Sequence, residues 1–251
     1  MASVSGRCCS EWSGWVFDRG DGDGDGNGNG NGADEPVGLA KHTCRSKETF
    51  MATRGFSRPV RPTAPPGRVP PGQHLVDDFP VLSAGPTHRV DPADWYFEIK
   101  VGPRRVVRWD WAAFNALPQT RLTCDIHCVT TWSKLDTDWE GVLVDDILQA
   151  AGIGPQTPHV LAHSHDDYST NLPAADLLAG KAMVALRYAG QPLAPEHGGP
   201  ARLLVPHLYL WKSAKWVKGI QFTDRDESGF WELRGYHAYG DPWREQRFSD
   251  D

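Results

Sequence analysis

Two cysteines and a histidine fall close together in "RLTCDIHCVTTWSK", residues 121–134, a run that otherwise reads as a buried strand. In an extended segment Leu122, Cys124, Ile126 and Cys128 share one face, with Thr123, Asp125 and His127 opposite. Cys124 lies within the apolar row and suits packing. Cys128 stands where that row gives way to the polar "TTWSK", and a sulfur at a strand end beside hydroxyls is well placed to react or to ligate. The CxxxC spacing is not the usual zinc pair and has no second pair downstream. His127, His163 and His165 are scattered imidazoles, and "HSHDD" supplies a possible base for a Cys–His nucleophile. Packing, zinc, a nucleophile and a soft ligand for a heavier metal all stay open at this point.

A second constellation is "EHGGPARLLVPHLYLWKSAKWVKGI", residues 196–220. His197 and two glycines make a turn where backbone can approach a ligand closely. Arg202 follows, then Lys212, Ser213 and Lys215 set among Tyr209, Trp211 and Trp216. A guanidinium, ammonium groups, a hydroxyl and free backbone N–H groups are what an anionic phosphate tail requires. The aromatic neighbours favour a cleft over a bare solvated patch.

The elements that must position these residues are mostly strands. "DWYFEIKVGPRRVVRWDW" reads as strand, Gly-Pro turn, strand. Asp110 caps a short helix carrying Trp111, Phe114 and Leu117, which Pro118 stops. Residues 121–131 form a strand leading into a loop. Val144, Ile147, Leu148 and Ala151 fall at helical spacing and Gly152 suits that helix's end. "PHVLAHS", "AMVALRYAGQPL" and "ARLLVPHLYLW" are strand-like, "PAADLLAG" is a short helix, and "KWVKGIQFTD" alternates through Trp216, Lys218, Ile220 and Phe222. The class is α+β, mixed sheets with few short helices. No strict βαβ alternation and no GxGxxG argue for a dinucleotide fold.

The chain has 251 residues, 39% hydrophobic and 23% charged, with 11 tryptophans, an ordinary globular composition of sufficient length for a real core. A net charge of −6 disfavours general nucleic-acid binding, which needs a basic face. No run of apolar residues is long enough for a membrane span. Five cysteines, an odd number, do not form a disulfide framework, so a reducing, cytoplasmic setting is expected. "DGDGDGNGNGNG", residues 21–32, is low-complexity and lacks the twelfth-position glutamate of a calcium loop. The expected organisation is a disordered extension over 1–50, a Pro/Arg-rich arm over 51–72 that restarts at Met51, and one domain over 73–251.

The two motifs, about 70 residues apart, together resemble the sulfite-oxidase-like molybdopterin oxidoreductases, most nearly their small single-domain bacterial members. "CDIHCVTTWSKLDTDWEGV" is similar to their molybdenum loop and "HGGPARLLVPHLYLWKSAKWVKGI" to their pterin-tail segment. The resemblance implies a sulfite-oxidase-type fold and a molybdenum cofactor on which Cys128 is the metal thiolate. It implies that His197 and Arg202 contact the pterin, that Ser213, Ala214 and Lys215 bind its phosphate, and that His163 adds a further contact. Thr130, Ser133 and His127 become neighbours of the metal sulfur, and "HSHDDYSTN" with His165 and Asp166 a possible substrate mouth. Tyr168, Arg187 and Tyr236 are candidates for the substrate-site tyrosine and arginine. Implied partners are a small oxo-anion or sulfoxide substrate and a separate electron carrier, because the chain shows no HPGG haem loop and ends at Asp251, before a second domain of the animal type.

Overall fold

A computed structural model describes residues 66–251. The expected extension over 1–50, and the arm before residue 66, lie outside the described residues.

Two sheets carry the domain. In the first, β1 (His74–Leu75), β5 (Trp132–Leu143), β8 (Met183–Tyr188) and β10 (Arg202–Leu204) lie in that order, with β4 (Thr120–His127) also paired to β5 and β9 (Gln191–Pro192) to β8. The second runs β3 (Arg104–Asp110), β2 (Tyr96–Val101), β11 (Val217–Thr223), β6 (His159–Ser164), β7 (Ser169–Pro173). β1 joins β5 in parallel and β11 joins β2 in parallel, while the other ladders are antiparallel. Mixed sheets with short helices are the expected class.

Local sequence explains most of these elements. Phe97, Ile99 and Val101 alternate into the core from β2 while Glu98 and Lys100 pair outside at 2.8 Å. Gly102 turns the chain at φ +53°. Asp110 accepts from the Ala113 amide at 2.8 Å and starts α1 (Trp111–Asn115). α2 (Val144–Ala150) buries Val144, Ile147 and Leu148, and Gly152 follows at φ +67°.

Three expectations are corrected. "PAADLLAG" holds only a 3-10 turn over Ala174–Asp176, and "ARLLVPHLYLW" is a strand for Arg202–Leu204 alone before 3-10 geometry at Leu210–Lys212. In β11 the register shifts between Val217 and Gly219. That bulge places Val217 on the core side with Ile220 and Phe222 and leaves Lys218 half-buried, so simple alternation through Lys218 fails.

The first sheet separates two apolar clusters. Val184, Leu186 and Leu203 point to the large core shared with the second sheet and both helices. Met183, Ala185 and Leu204 point the other way, to a smaller cluster with Ile126, Cys128, Trp132 and Trp139. That second face is covered by the N-terminal segment through Val76, Phe79 and Leu82. Gly141 in β5 permits the close approach of β8, since a Cβ there would sit 2.2 Å from the Val184 carbonyl.

Candidate functional site

Cys128 follows β4 directly and opens the turn into β5. Its amide donates to the Trp132 carbonyl (2.8 Å), and Thr131, at φ +71°, donates back to the Cys128 carbonyl (3.1 Å). The sulfur is buried, with Thr130 Oγ1 at 3.1 Å. Burial pushes the thiol's pKa up, while Thr130 and the charges of Lys215 and Arg202 pull it down. Gln73 Nε2 donates to the Cys128 carbonyl (3.1 Å), and Ser133 links Gln73 to His127, whose Nδ1 lies 2.8 Å from Ser133 Oγ. Cys124 instead lies beside Thr137, behind a register shift in β4, its thiol pushed up to about 11 mainly by burial. It packs, as expected.

Arg202 is buried on β10 and donates to the carbonyls of His197 (3.0 Å) and Ser213 (2.9 Å). His197 stacks flat on Phe79, ring centroids 4.0 Å apart, and its buried Nδ1 has no partner among the described residues. Burial, then Arg202 and Lys215, lower its pKa to about 4. Gly198 holds φ +102°, and a Cβ there would meet Lys215 Cα at 2.9 Å, so the double glycine brings the His197 turn onto the Lys215 backbone. Ser213 Oγ accepts from the Val205 amide (2.9 Å) and keeps its own proton for donation. Neither the Ala214 nor the Lys215 amide donates to a described residue. Lys215 Nζ reaches the Leu82 carbonyl (2.7 Å), Ser83 Oγ (2.8 Å) and the Glu196 carbonyl (2.6 Å), its pKa lowered to about 7 by burial and then by Arg202.

Burial lowers the pKa of all three groups, Arg202 adds to the fall at His197 and Lys215, and none forms an ion pair among the described residues. Such a cluster calls for an anion. The free amides at 214 and 215, the ammonium and the orphaned His197 Nδ1 suit a phosphate and a polar heterocycle, and the nearby buried sulfur suits a soft metal. Those residues fit a phosphorylated, metal-bearing pterin.

The structure brings Cys128, His197, Arg202 and Lys215 near one another, with the Ser213 carbonyl bonded to Arg202 and the Ala214 side chain packed in the large core. It does not bring His163 with them. That side chain bonds Gln221 (3.2 Å) on the second sheet, and the charges around it are Lys100, Lys218 and Glu98. His165 Nε2 donates to the Tyr96 carbonyl (3.3 Å), so neither imidazole serves Cys128 as a base. His165 N and Asp166 approach the Trp216–Lys215 end of the site rather than the sulfur. Among the described residues no group of three or more His, Cys, Asp and Glu side chains is arranged to hold a metal, which leaves the zinc reading without ligands. Lys212, expected in the anion cleft, is instead fully buried and paired with Glu232 at 2.6 Å.

Of the three substrate-site candidates, Arg187 lies on β8 beside Glu140 (3.7 Å) and Tyr168 donates its hydroxyl to the Trp211 carbonyl (2.5 Å). Tyr236 is half-buried among Trp211, Trp231 and Phe248, its hydroxyl makes no bond to a described residue, and the Cys128 sulfur is near enough to add to the rise of its pKa. Sequence reasoning missed Gln73 and Phe79. Neither carries a local motif, since each reaches the site only through the tertiary path of the N-terminal segment.

The family model for the oxidoreductase molybdopterin binding domain matches residues 84–231. The chain is 44% identical over 186 residues to "Uncharacterized oxidoreductase YuiH" of Bacillus subtilis (strain 168), covering 74% of this chain and 94% of that protein. It is 28% identical over 151 residues to "Putative protein-methionine-sulfoxide reductase subunit YedZ1" of Azospira oryzae, covering 60% and 57%. To the mitochondrial sulfite oxidase of Drosophila melanogaster it is 25% identical over 189 residues, covering 64% of this chain and only 33% of that protein.

Proposed function

The chain belongs to the oxidoreductase molybdopterin binding domain family, and from that premise we propose that it transfers an oxygen atom to or from a small sulfur-centred oxo substrate at a molybdenum held by Cys128. It is an oxidoreductase of the sulfite-oxidase type and its cofactor is molybdopterin with molybdenum. When bound, that group supplies the two-electron redox chemistry.

The chain's own residues do the rest. Cys128 offers a thiolate, and Thr130 steadies it with a hydroxyl at 3.1 Å. Gln73, Ser133 and His127 fix the turn that carries the sulfur. Arg202, His197, Ser213, Ala214 and Lys215 hold the tail and its phosphate. The Tyr236 hydroxyl, which makes no bond to a described residue, is suited to donate a hydrogen bond to a substrate oxygen. The substrate class follows from relatives named as sulfite oxidase and as a methionine-sulfoxide reductase subunit. Electrons pass to or from a separate carrier.

Both described cysteines are free thiols, in keeping with a cytoplasmic location, and no described helix is long and apolar enough to cross a membrane. Cell fractionation decides that point.

A single observation carries the reading: a buried thiol near three buried or half-buried basic groups, none of which forms an ion pair among the described residues. Cys128→Ser tests it. We expect a folded protein that neither reduces a sulfoxide with reduced viologen dye nor oxidises sulfite with ferricyanide. Full activity in that variant, or a purified wild type holding no molybdenum, ends the proposal.

A further inference from the structure

Lys212 is among the most deeply buried side chains of the molecule, fully excluded from solvent although its neighbours belong to the cofactor segment. An ammonium has three protons to donate, and here four acceptors surround it: the Asn171 carbonyl (2.9 Å), Asn171 Oδ1 (2.6 Å), Glu232 Oε1 (2.6 Å) and the Ala238 carbonyl (2.6 Å). Glu232 and Ala238 flank Tyr236. The ammonium therefore holds both ends of one short loop, residues 232–238, against β7.

Glu232 is a busy acceptor. Its Oε1 takes donations from Lys212, from Thr170 Oγ1 (2.9 Å) and from Trp211 Nε1 (3.1 Å). The Trp211 indole so fixed stacks on Tyr209 (5.2 Å, 18°) and receives Tyr236 edge-on (5.2 Å, 80°). Tyr209 in turn bridges by backbone to His127, the residue before Cys128. A continuous path of packed groups thus runs from the Lys212 ammonium through Glu232 and Trp211 to Tyr236 and the thiolate turn. Burying a charge pair is costly and does little for net stability compared with apolar residues of similar size. Its presence here needs a different account.

We propose that Lys212 and Glu232 are positioning residues that clamp the 232–238 loop and so hold the Tyr236 hydroxyl over the metal site. The inference rests on the reading that Cys128 holds molybdenum and extends it to Lys212, which the resemblance gives no contact with the tail, and to the 232–238 loop beyond the cofactor segment. Lys212 touches neither cofactor nor substrate; it acts through Tyr236.

Removing one partner alone leaves a buried, uncompensated charge that endangers folding. The better test is the paired apolar variant Lys212→Met/Glu232→Leu, examined with Tyr236→Phe and with all three changes together. In the cofactor-free protein, amides of residues 233–240 should exchange hydrogen faster in the paired variant while those of β10 and β11 keep their protection. In loaded enzyme of equal molybdenum content, the paired variant and Tyr236→Phe should each alter the Mo(V) resonance spectrum and lower kcat by about tenfold or more. The combined variant should be no worse than Tyr236→Phe, because groups acting through one another are not additive.

Unchanged exchange over 233–240 refutes the clamp. Losses that multiply in the combined variant refute action through Tyr236 and assign the pair a general structural role. Normal molybdenum content with a Tyr236→Phe spectrum identical to wild type sinks this inference and leaves the proposed function standing. A wild type without molybdenum sinks both.

Discussion

Lys215 shows how far burial moves a single residue from its ordinary chemistry. Burial first, then the Arg202 charge, lower its pKa from 10.5 to about 7, against smaller opposing effects from Asp166, Cys128 and Glu196. Between those values the unfolded chain binds a proton that the folded chain does not. Stability of the cofactor-free protein should therefore rise as pH climbs from about 7 to about 10 and be flat, for this group, below 7. A bound phosphate favours the ammonium and should remove that slope. Thermal midpoints of loaded and cofactor-free protein across this window check it, and parallel curves would contradict it. Arg202→Ala is the companion prediction. It strands the carbonyls of His197 and Ser213 and should cost about 1–3 kcal/mol, with molybdenum content by mass spectrometry falling well below wild type; an undiminished content speaks against a tail-binding role.

At the scale of elements, the cofactor segment works because a two-glycine turn, a three-residue strand and a 3-10 turn bring distant side chains to one face. Gly198→Ala places a methyl 2.9 Å from Lys215 Cα at φ +102°. It should lower cofactor occupancy more than it lowers the melting point, read by metal content beside calorimetry. Much of this was legible in sequence. Strand-like runs marked β2 and β6, Asp110 and Gly152 marked helix ends, and the resemblance of two motifs to a known family pointed to Cys128, Arg202 and Lys215 as the site. What was not legible depended on partners far along the chain. Lys212 in "WKSAKW" reads as one of the cations of the anion cleft because Glu232, twenty residues on, is what buries it away from there. Lys218 reads as part of an alternating face until the β11 bulge is seen. His163 stands at a plausible position in the chain, yet its strand pairs with β11 of the other sheet and points it at Gln221.

The whole molecule is organised so that one face of the first sheet packs the core and the other packs the site. A strap from residue 66 to about 84 closes that second face. Arg68 ties it to Asp125 (2.6 Å) and Asp136 (2.7 Å), Gln73 to the Cys128 turn, Phe79 to the His197 ring, and Leu82 and Ser83 to Lys215. Phe79→Ala removes the stacked ring from His197. It should speed cofactor loss on dilution, by about tenfold or less if one stacking contact is all that goes, and release at the wild-type rate would show that the strap is not a barrier.

The three bonds on the Lys215 ammonium have one more consequence. That ammonium ties the strap at Leu82 and Ser83 to the turn at Glu196, so a phosphate that recruits it competes for the same protons and loosens the strap as it binds. Maturation is then an exchange of one anchor for another.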